Sequence, residues 1–261
     1  MIQRLIRRIF PVEWQPPSDP VNSILSAVGY FRLRTWLGAH GQPVPDIGLY
    51  RPLYSPWRGE GEFGRLYRRI RPHTLVSRDR CYVLWRTLRQ AARMDGAVVE
   101  CGVFRGGTAL MEALTLTEMK VRRPLHLFDS FEGMPPTTTG IDRFQKGDFS
   151  TTSLEAVRKL LSGFCDVTFH PGFIPATFTG LDIPRISWAH VDVDIYQAVK
   201  DSIAWIYARL LPVGFMIFDD YGFPSCAGER RAVDEAFAEL PEAPICLPTG
   251  QCLVIKLPSC N

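Results

Sequence analysis

The chain has 261 residues, of which 46% are hydrophobic and 22% charged, and its formal net charge at pH 7 is only +3. This length allows one α/β domain with a sizeable core and a smaller appendage, rather than two full domains. Because charges of both signs are interleaved, a long nucleic-acid-binding track is excluded and no nucleic acid partner is expected. Seven cysteines without a CxxC spacing predict reduced, buried thiols in a cytoplasmic protein.

Residues 1–65 are predicted to form a helical N-terminal extension, a lid or interface segment, ahead of a domain over residues 66–261. The segment MIQRLIRRIF at Met1–Phe10 alternates basic and apolar residues, but it is too short to insert stably in a membrane and lacks a signal-peptide core. We expect a surface helix that packs on its own domain or on a second subunit of a homo-oligomer, in preference to a membrane-surface helix. A second helix is predicted at 22–37, where it would cover part of a cleft.

From residue 78 onward, helical and strand-like segments alternate. Helices are predicted at 78–94, 107–119, 152–162, 197–210 and 229–239, and strands at 97–101, 124–128, 165–169, 185–191, 214–218, 244–248 and 251–257. This alternation predicts an α/β fold with a doubly wound, mostly parallel seven-stranded sheet of the Rossmann-like type. Pro248 to Gly250 predict the turn of an antiparallel C-terminal hairpin. Pro212 and Gly214 are expected to end the helix before the fifth strand.

A glycine-rich loop follows the first predicted strand, within Val98–Thr108. Its glycines at 102, 106 and 107 permit a sharp turn and remove side chains where a ligand approaches the backbone. A dinucleotide-binding fingerprint would have its acid about 20 residues further on, whereas Glu100 precedes the first glycine here, which argues against a dehydrogenase. The loop therefore predicts a nucleotide-type site, with a glycine-rich turn that binds no ligand as the alternative.

A second acid, Asp129, follows the short apolar run Leu125–Phe128. Carboxylates at the ends of parallel strands face the crevice in which ligands bind, and a hydrogen-bond acceptor at that point suits a ribose diol. The alternative is an N-cap or turn aspartate, because a glycine and proline cluster follows at 133–136.

Two further predicted strands end in pairs of acids, Asp192 with Asp194 and Asp219 with Asp220. In a doubly wound sheet these four carboxylates would lie in one cleft and repel each other unless a cation or protons intervened. Oxygen ligands favour magnesium, calcium or manganese, whereas zinc prefers His and Cys. The pattern therefore predicts a hard divalent cation, with solvated turn aspartates as the alternative.

Six phrases form an ordered set along the chain: HTLVSRDR (73–80), ECGVFRGGT (100–108), FDSFEGMP (128–135), GDFS (147–150), HVDVDIYQ (190–197) and FDDYGFPSC (218–226). Together they resemble the macrocin O-methyltransferase (TylF-type) family, over residues 66–257. The resemblance implies a class I methyltransferase fold with S-adenosylmethionine and Mg²⁺ as cofactors. It also implies methylation of a sugar hydroxyl on a small-molecule or glycoside acceptor, either a glycosylated natural product or a glycan.

The same resemblance assigns the cofactor contacts. The methionine end would be held by Thr74, Glu100, Gly102, Arg105, Gly106 and Thr108, the ribose by Asp129 and Ser130, and the adenine edge by Gly172 and Phe173. Turn capping is the alternative for Thr74. Tyr196 and Tyr221 would either face the acceptor or pack as core aromatics.

Methyl transfer to an alcohol requires alignment of oxygen, methyl and sulfur, and removal of a proton from a weak acid. We expect Asp192, Asp219 and Asp220 to bind the cation and Asp194 to be the base, with Asp192 as both ligand and base the alternative. His190 is a second candidate base, although a lone His on a core strand is more often structural. A phenol or catechol O-methyltransferase and a non-catalytic nucleotide-binding protein are the alternative functions.

Overall fold

The computed structural model of the chain describes residues 55–137 and 140–258. The N-terminal helices predicted at 1–10 and 22–37, and the subunit contact assigned to that segment, lie outside the described residues. Within the described ranges, no helix has the length and apolar character needed to cross a membrane.

The core of the fold is a seven-stranded sheet with the strand order β3-β2-β1-β4-β5-β7-β6. The strands are β1 (Ala97–Cys101), β2 (Leu125–Asp129), β3 (Val167–Pro171), β4 (Ile186–Val191), β5 (Leu210–Phe218), β6 (Ile245–Cys246) and β7 (Cys252–Ile255). The first five strands pair in parallel, and β7 is antiparallel to both β5 and β6. The predicted fold class and its C-terminal hairpin are therefore confirmed.

Among the described residues, six α-helices accompany the sheet: α1 (Glu62–Ile70), α2 (Arg78–Ala91), α3 (Gly107–Glu118), α4 (Leu154–Leu160), α5 (Tyr196–Tyr207) and α6 (Ala227–Phe237). Successive side chains on a strand point to opposite faces of the sheet. Accordingly, Val98 belongs to a buried cluster with apolar residues of α1 to α4, whereas Val99 belongs to one with residues of α5 and α6. Both faces of the sheet are thus covered, and the strand ends are left to form a crevice.

The strand order places a switch point between β1 and β4. The chain runs outward from β1 to β3 and then returns to the other side of β1 as β4. In doubly wound sheets, ligands bind beside such a point, outside the carboxyl ends of the strands. The chain segments that follow β1 and β4 meet at this switch point, since the Asp192 N–H donates to the Cys101 carbonyl oxygen at 2.8 Å.

Helix α5 and strand β5 correct one expectation. Pro212 and Gly214 lie inside β5 and do not end the preceding helix, which already stops at Tyr207. The pairing of β5 with β4 shifts register after Leu210. At this irregularity, the Val213 N–H donates to the Lys256 carbonyl oxygen at 2.8 Å. Pro212 has no N–H to pair, so a bulge of this kind accommodates it. The other elements predicted from residue 78 onward are present, with ends shifted by a few residues.

The cysteines are a second correction. Cys165 and Cys246 are exposed, so the prediction of buried thiols is wrong for these two. Cys165 precedes β3 at the edge of the sheet, and Cys246 lies on the short edge strand β6. Side chains at an edge have fewer neighbours than those on central strands, which explains the exposure.

Candidate active site

A cavity of 340 Å³ opens at the carboxyl ends of the central strands. The predicted site residues that line it are Thr74, Gly102, Thr108, Asp129, Ser130, Gly172, Phe173, Asp192, Asp194, Asp219 and Asp220. Four other predicted residues lie outside this lining: Glu100, Arg105, Gly106 and His190. The structure therefore brings the predicted ribose-binding acid and all four strand-end acids of β4 and β5 into one chamber.

The glycine loop is shaped by contacts within the protein itself. Gly102 has a φ of +88°, and a Cβ atom built on it would lie 1.9 Å from the Asp192 carbonyl oxygen. A Cβ on Gly107 would lie 2.6 Å from that of Thr74. The absence of side chains thus lets the loop after β1 approach both the acidic loop after β4 and the segment before α2.

Asp129 ties the loops after β1 and β2 together. Its Oδ2 accepts the N–H groups of Val103 and Phe104 at 2.7 and 2.8 Å, and its Oδ1 accepts that of Phe131 at 2.6 Å. A carboxylate offers about four acceptor positions, so capacity is left for a hydroxyl in the cavity. Asp129 therefore combines the turn role, considered as the alternative, with a position facing the cavity.

Glu100 and His190 form a buried chain beneath the cavity. The Nδ1 atom of His190 lies 3.0 Å from Glu100 Oε1, and its Nε2 atom lies 3.5 Å from Asp219 Oδ1. Burial acts to lower the pKa of His190, but the hydrogen bonds and charges of Asp219 and Glu100 outweigh it and raise the pKa well above its ordinary value. His190 is thus placed to orient Asp219 from below.

Glu112 of α3 is a third buried acid in this region. Its side chain is fully buried, and both carboxyl oxygens lack a hydrogen-bond partner among the described residues. One side-chain nitrogen or oxygen atom from each of Glu112, Glu100 and His190 lies within 4.8 Å of the corresponding atoms of the other two residues. Burial, reinforced by the charge of Glu100, raises the pKa of Glu112 well above its usual range.

The strand-end acids fall into two adjoining groups. One ligand atom each of His190, Asp192 and Asp219 lie within 4.8 Å of one another, and Asp194, Asp220 and Cys226 form a second such group. Burial, with the nearby charges of Asp219 and Asp220, raises the pKa of Asp192 well above its ordinary value. Burial and then the charge of Asp220 raise the pKa of Asp194 to about 8.

Asp194 also has an unusual backbone. Its φ is +59°, in the left-handed region that few residues other than glycine adopt, although aspartate tolerates it better than most. Such conformations persist where surrounding structure enforces them, and they cluster at functional sites. Here the turn after β4 directs the Asp194 side chain into the lining of the cavity.

Arg80 of α2 joins the two acidic groups. Its Nη1 atom donates to Asp219 Oδ2 and, at 2.9 Å, to Asp220 Oδ1. Burial acts to lower the pKa of Arg80, but Asp219 and Asp220 outweigh it and raise the pKa. Gln251 of the C-terminal hairpin donates to the other oxygen, Asp219 Oδ1, at 2.7 Å. Asp219 is therefore contacted by Arg80, Gln251 and His190.

The donor chemistry of these groups fits a hard divalent cation. Asp192 and Asp219 present carboxylate oxygens to one region, and Asp220 presents its carboxylate with Asp194 in the adjoining group. Such oxygens are the ligands that Mg²⁺ prefers, and burial, followed by the like charges of Asp219 and Asp220, raises the pKa of Asp192.

The remaining predicted residues lie at the edges of this arrangement. Thr74 lines the cavity, and its Oγ1 also accepts the Val76 N–H at 3.0 Å, as a turn cap does. Arg105 points to Thr151. Tyr196 and Tyr221 donate to Glu235 and Asp234 of α6 at 2.5 and 2.7 Å and stay outside the lining, so they follow the packing alternative.

The macrocin-O-methyltransferase (TylF) family matches residues 69–240, well over half of the chain. The chain belongs to this family. Among its relatives, the mycinamicin III 3''-O-methyltransferase of Micromonospora griseorubida is 32% identical over 179 residues, 62% of this chain and 69% of that protein. The 8-demethyl-8-(2,3-dimethoxy-alpha-L-rhamnosyl)-tetracenomycin-C 4'-O-methyltransferase of Streptomyces olivaceus is 33% identical over 145 residues, 51% of this chain and 56% of that protein.

The solved structure of the O-methyltransferase NovP aligns with this TylF-family chain with a TM-score of 0.66 at 21% identity. The alignment covers 90% of this chain and 100% of NovP. At this level of identity the likeness shows the fold, which is that of a Rossmann-like methyltransferase. The family match and the named relatives make the protein an O-methyltransferase.

Three residues that matter in this methyltransferase were missed from the sequence. Arg80 and Gln251 contact Asp219 from elements distant in the chain, and nothing local in the sequence marks that contact. Glu112 does carry a signal, because it is a lone acid in the apolar helical run ALMEALTL. An acid on an otherwise buried helix is rarely accidental, since its burial is costly.

Proposed function

We propose that the protein is an S-adenosylmethionine- and divalent-cation-dependent O-methyltransferase that methylates a hydroxyl of a sugar, on a glycosylated natural product or a glycan. The observation that carries this proposal is the single cavity shared by the glycine loop, Asp129 and four strand-end acids. The name of the relative in Streptomyces olivaceus, an O-methyltransferase of a rhamnosyl compound, supports the acceptor class, and the relative in Micromonospora griseorubida is likewise named an O-methyltransferase.

In this proposal, S-adenosylmethionine occupies the half of the cavity formed by the loops after β1, β2 and β3. Asp129 accepts a ribose hydroxyl with its remaining acceptor position, and Ser130 lies beside it. Gly172 and Phe173 border the adenine, and Thr74 with Gly102 and Thr108 border the methionine end. Glu100 contributes indirectly, because it is buried against His190 instead of lining the cavity.

The acceptor and the acids occupy the other half. Asp192, Asp219 and Asp220 would hold the cation, which when bound lowers the pKa of a coordinated hydroxyl. Asp194 is our preferred base, because it lines the cavity and, unlike Asp219 and Asp220, receives no hydrogen bond from Arg80. As the acceptor oxygen bonds to the methyl carbon, the carbon–sulfur bond breaks with its electron pair on sulfur, and the hydroxyl proton passes to an Asp194 oxygen.

A phenol or catechol acceptor is the second candidate, and the aromatic lining of the cavity favours it. The lining includes Phe104, Phe144, Phe149, Phe173 and Phe223. Flat rings stack on such side chains, although the apolar faces of sugars also pack on them. Methyl transfer from radiolabelled S-adenosylmethionine to glycoside and to catechol acceptors separates the two.

The cation requirement is tested with a chelator and with Asp219→Asn. Turnover should stop in EDTA and return with excess Mg²⁺, and Asp219→Asn should abolish turnover while S-adenosylhomocysteine binding stays within a few-fold of the wild-type value. The control is Asp201→Asn, which removes an acid that contacts Gln197 on the exposed side of α5. Full activity in EDTA would remove the cation from the mechanism.

A further inference from the structure

One basic side chain reaches into the acidic half of the cavity. Of the described residues that line it, Arg80 is the only arginine or lysine, beside Asp192, Asp194, Asp219 and Asp220. The Arg80 side chain is only 12% exposed, and those of Asp219 and Asp220 are 0% and 15% exposed. At such low exposure, solvent screens the attraction weakly, so the guanidinium is a counter-charge of this acidic cluster. His190, whose Nε2 atom lies 3.5 Å from Asp219 Oδ1, is the second positive group beside these acids.

The guanidinium is also held on its other sides. It lies over the ring of Phe223, with 4.9 Å from its central carbon to the ring centroid. Its Nε atom donates to Ser77 Oγ at 3.2 Å, and its Nη1 also reaches the Asp219 carbonyl oxygen at 3.4 Å. Two carboxylates that accept hydrogen bonds and an aromatic ring that stacks on the guanidinium form a position well suited to arginine.

Arg80 donates to one oxygen each of Asp219 and Asp220, and Gln251 donates to the other oxygen of Asp219, so a cation held by these two acids meets groups that are already engaged. Resting on the proposed cation-dependent function, we propose that Arg80 is an internal counter-cation of the acidic cleft, and that a divalent cation must displace its guanidinium from Asp219 and Asp220 to bind. A guanidinium and a divalent cation at contact distance on the same two carboxylates repel each other, and this repulsion favours displacement of the guanidinium when the cation binds.

This competition has a quantitative consequence. When the binding-competent state is only a minor fraction of the population, the apparent dissociation constant rises by the inverse of that fraction. Removing the guanidinium should therefore tighten cation binding. The same change leaves the acids uncompensated in the metal-free protein, so its thermal stability should fall and recover when the cation is added.

The test is calorimetric titration of MgCl₂, and of MnCl₂ as a second probe, into the full chain. Arg80→Gln should bind Mg²⁺ about tenfold more tightly than wild type or better. Arg80→Lys, which keeps a positive charge, should stay closer to wild type. The matched control is Arg86→Gln, since Arg86 is exposed on the same helix and stacks on Trp85. It should change the affinity by less than about twofold.

Equal or weaker Mg²⁺ binding by Arg80→Gln would overturn the inference while leaving the proposed function in place. If no variant and not even the wild type binds either metal, the cation-dependent function itself fails. Should Arg80→Gln unfold without metal, its refolding by Mg²⁺, followed by circular dichroism, supports the inference. Failure of Mg²⁺ to refold it contradicts the inference.

Discussion

Gly102 and Asp192 are in backbone contact across the switch point of the sheet. A Cβ atom on residue 102 would lie 1.9 Å from the Asp192 carbonyl oxygen, and the φ of Gly102 is +88°. Because glycine carries a hydrogen atom in place of Cβ, residue 102 lets the acidic loop after β4 lie against the loop after β1.

We expect Gly102→Ala to destabilise the protein by more than about 2 kcal/mol, from backbone strain and displacement of the Asp192 peptide. Urea unfolding measures the loss, and methyl transfer should fall with it. Gly163→Ala is the control, since a Cβ there has nothing within 4 Å, and its cost should be below about 0.5 kcal/mol. Equal stability of the two variants would contradict the contact.

Asp129→Ala should weaken S-adenosylhomocysteine binding by about 1.5–3 kcal/mol, because a charge-assisted ribose contact is lost. It should also loosen the loops, since the N–H groups of Val103, Phe104 and Phe131 lose their acceptor. Calorimetry measures the affinity. Asp166→Ala, which breaks a surface pair with Arg122, should leave it unchanged. An Asp129 variant with wild-type affinity would restrict that residue to capping.

Glu112→Gln should stabilise the protein increasingly as pH rises. The pKa of Glu112 is raised in the folded state, so above the ordinary glutamate pKa of about 4.3 the folded chain holds a proton that the unfolded chain releases. The free energy of unfolding of the wild type then falls by up to about 1.4 kcal/mol per pH unit because of this group, and glutamine removes that fall. Unfolding free energies between pH 5 and 8 give the difference, with exposed Glu118→Gln as the charge control. A difference independent of pH would show that Glu112 is ionised.

For His126 we expect the opposite trend, in which the free energy of unfolding decreases as the pH is lowered. Burial, and then the charge of His170, lower its pKa to about 4, and its Nδ1 atom lies 3.0 Å from His170 Nε2. The unfolded chain therefore binds a proton more readily, so the stability contributed above pH 6.5 is lost as the pH falls towards 4. His126→Asn should flatten the decline, measured by urea unfolding between pH 7 and 4.5. Parallel curves for variant and wild type would exclude this role.

The sheet and the clustering of the acids were predictable because both depend on local patterns. Apolar runs mark the buried strands, and an acid after such a run must face the crevice once the strands are parallel. This reasoning placed Asp129, Asp192 and Asp219 correctly in one cavity. It did not place Glu100, whose side chain faces His190 on the neighbouring strand.

Other features depend on contacts that no local pattern encodes. The reach of Arg80 into the cleft is set by how α2 packs on the sheet, and the long side chain has many rotamers. The early start of β5 depends on its pairing with β4 through Leu210 and on a bulge that accepts Pro212. Tyr196 and Tyr221 turn to α6 because Glu235 and Asp234 offer acceptors there.

The pairing of Arg80 with Asp219 spans 139 residues of sequence, and this separation affects how the protein folds. Distant contacts of this kind raise the contact order, and chains rich in them fold slowly. During synthesis, the cofactor loops and Arg80 emerge well before Asp219. We therefore expect the acidic cleft to close among the last folding events, so that the onset of methyl transfer would report assembly of the whole sheet.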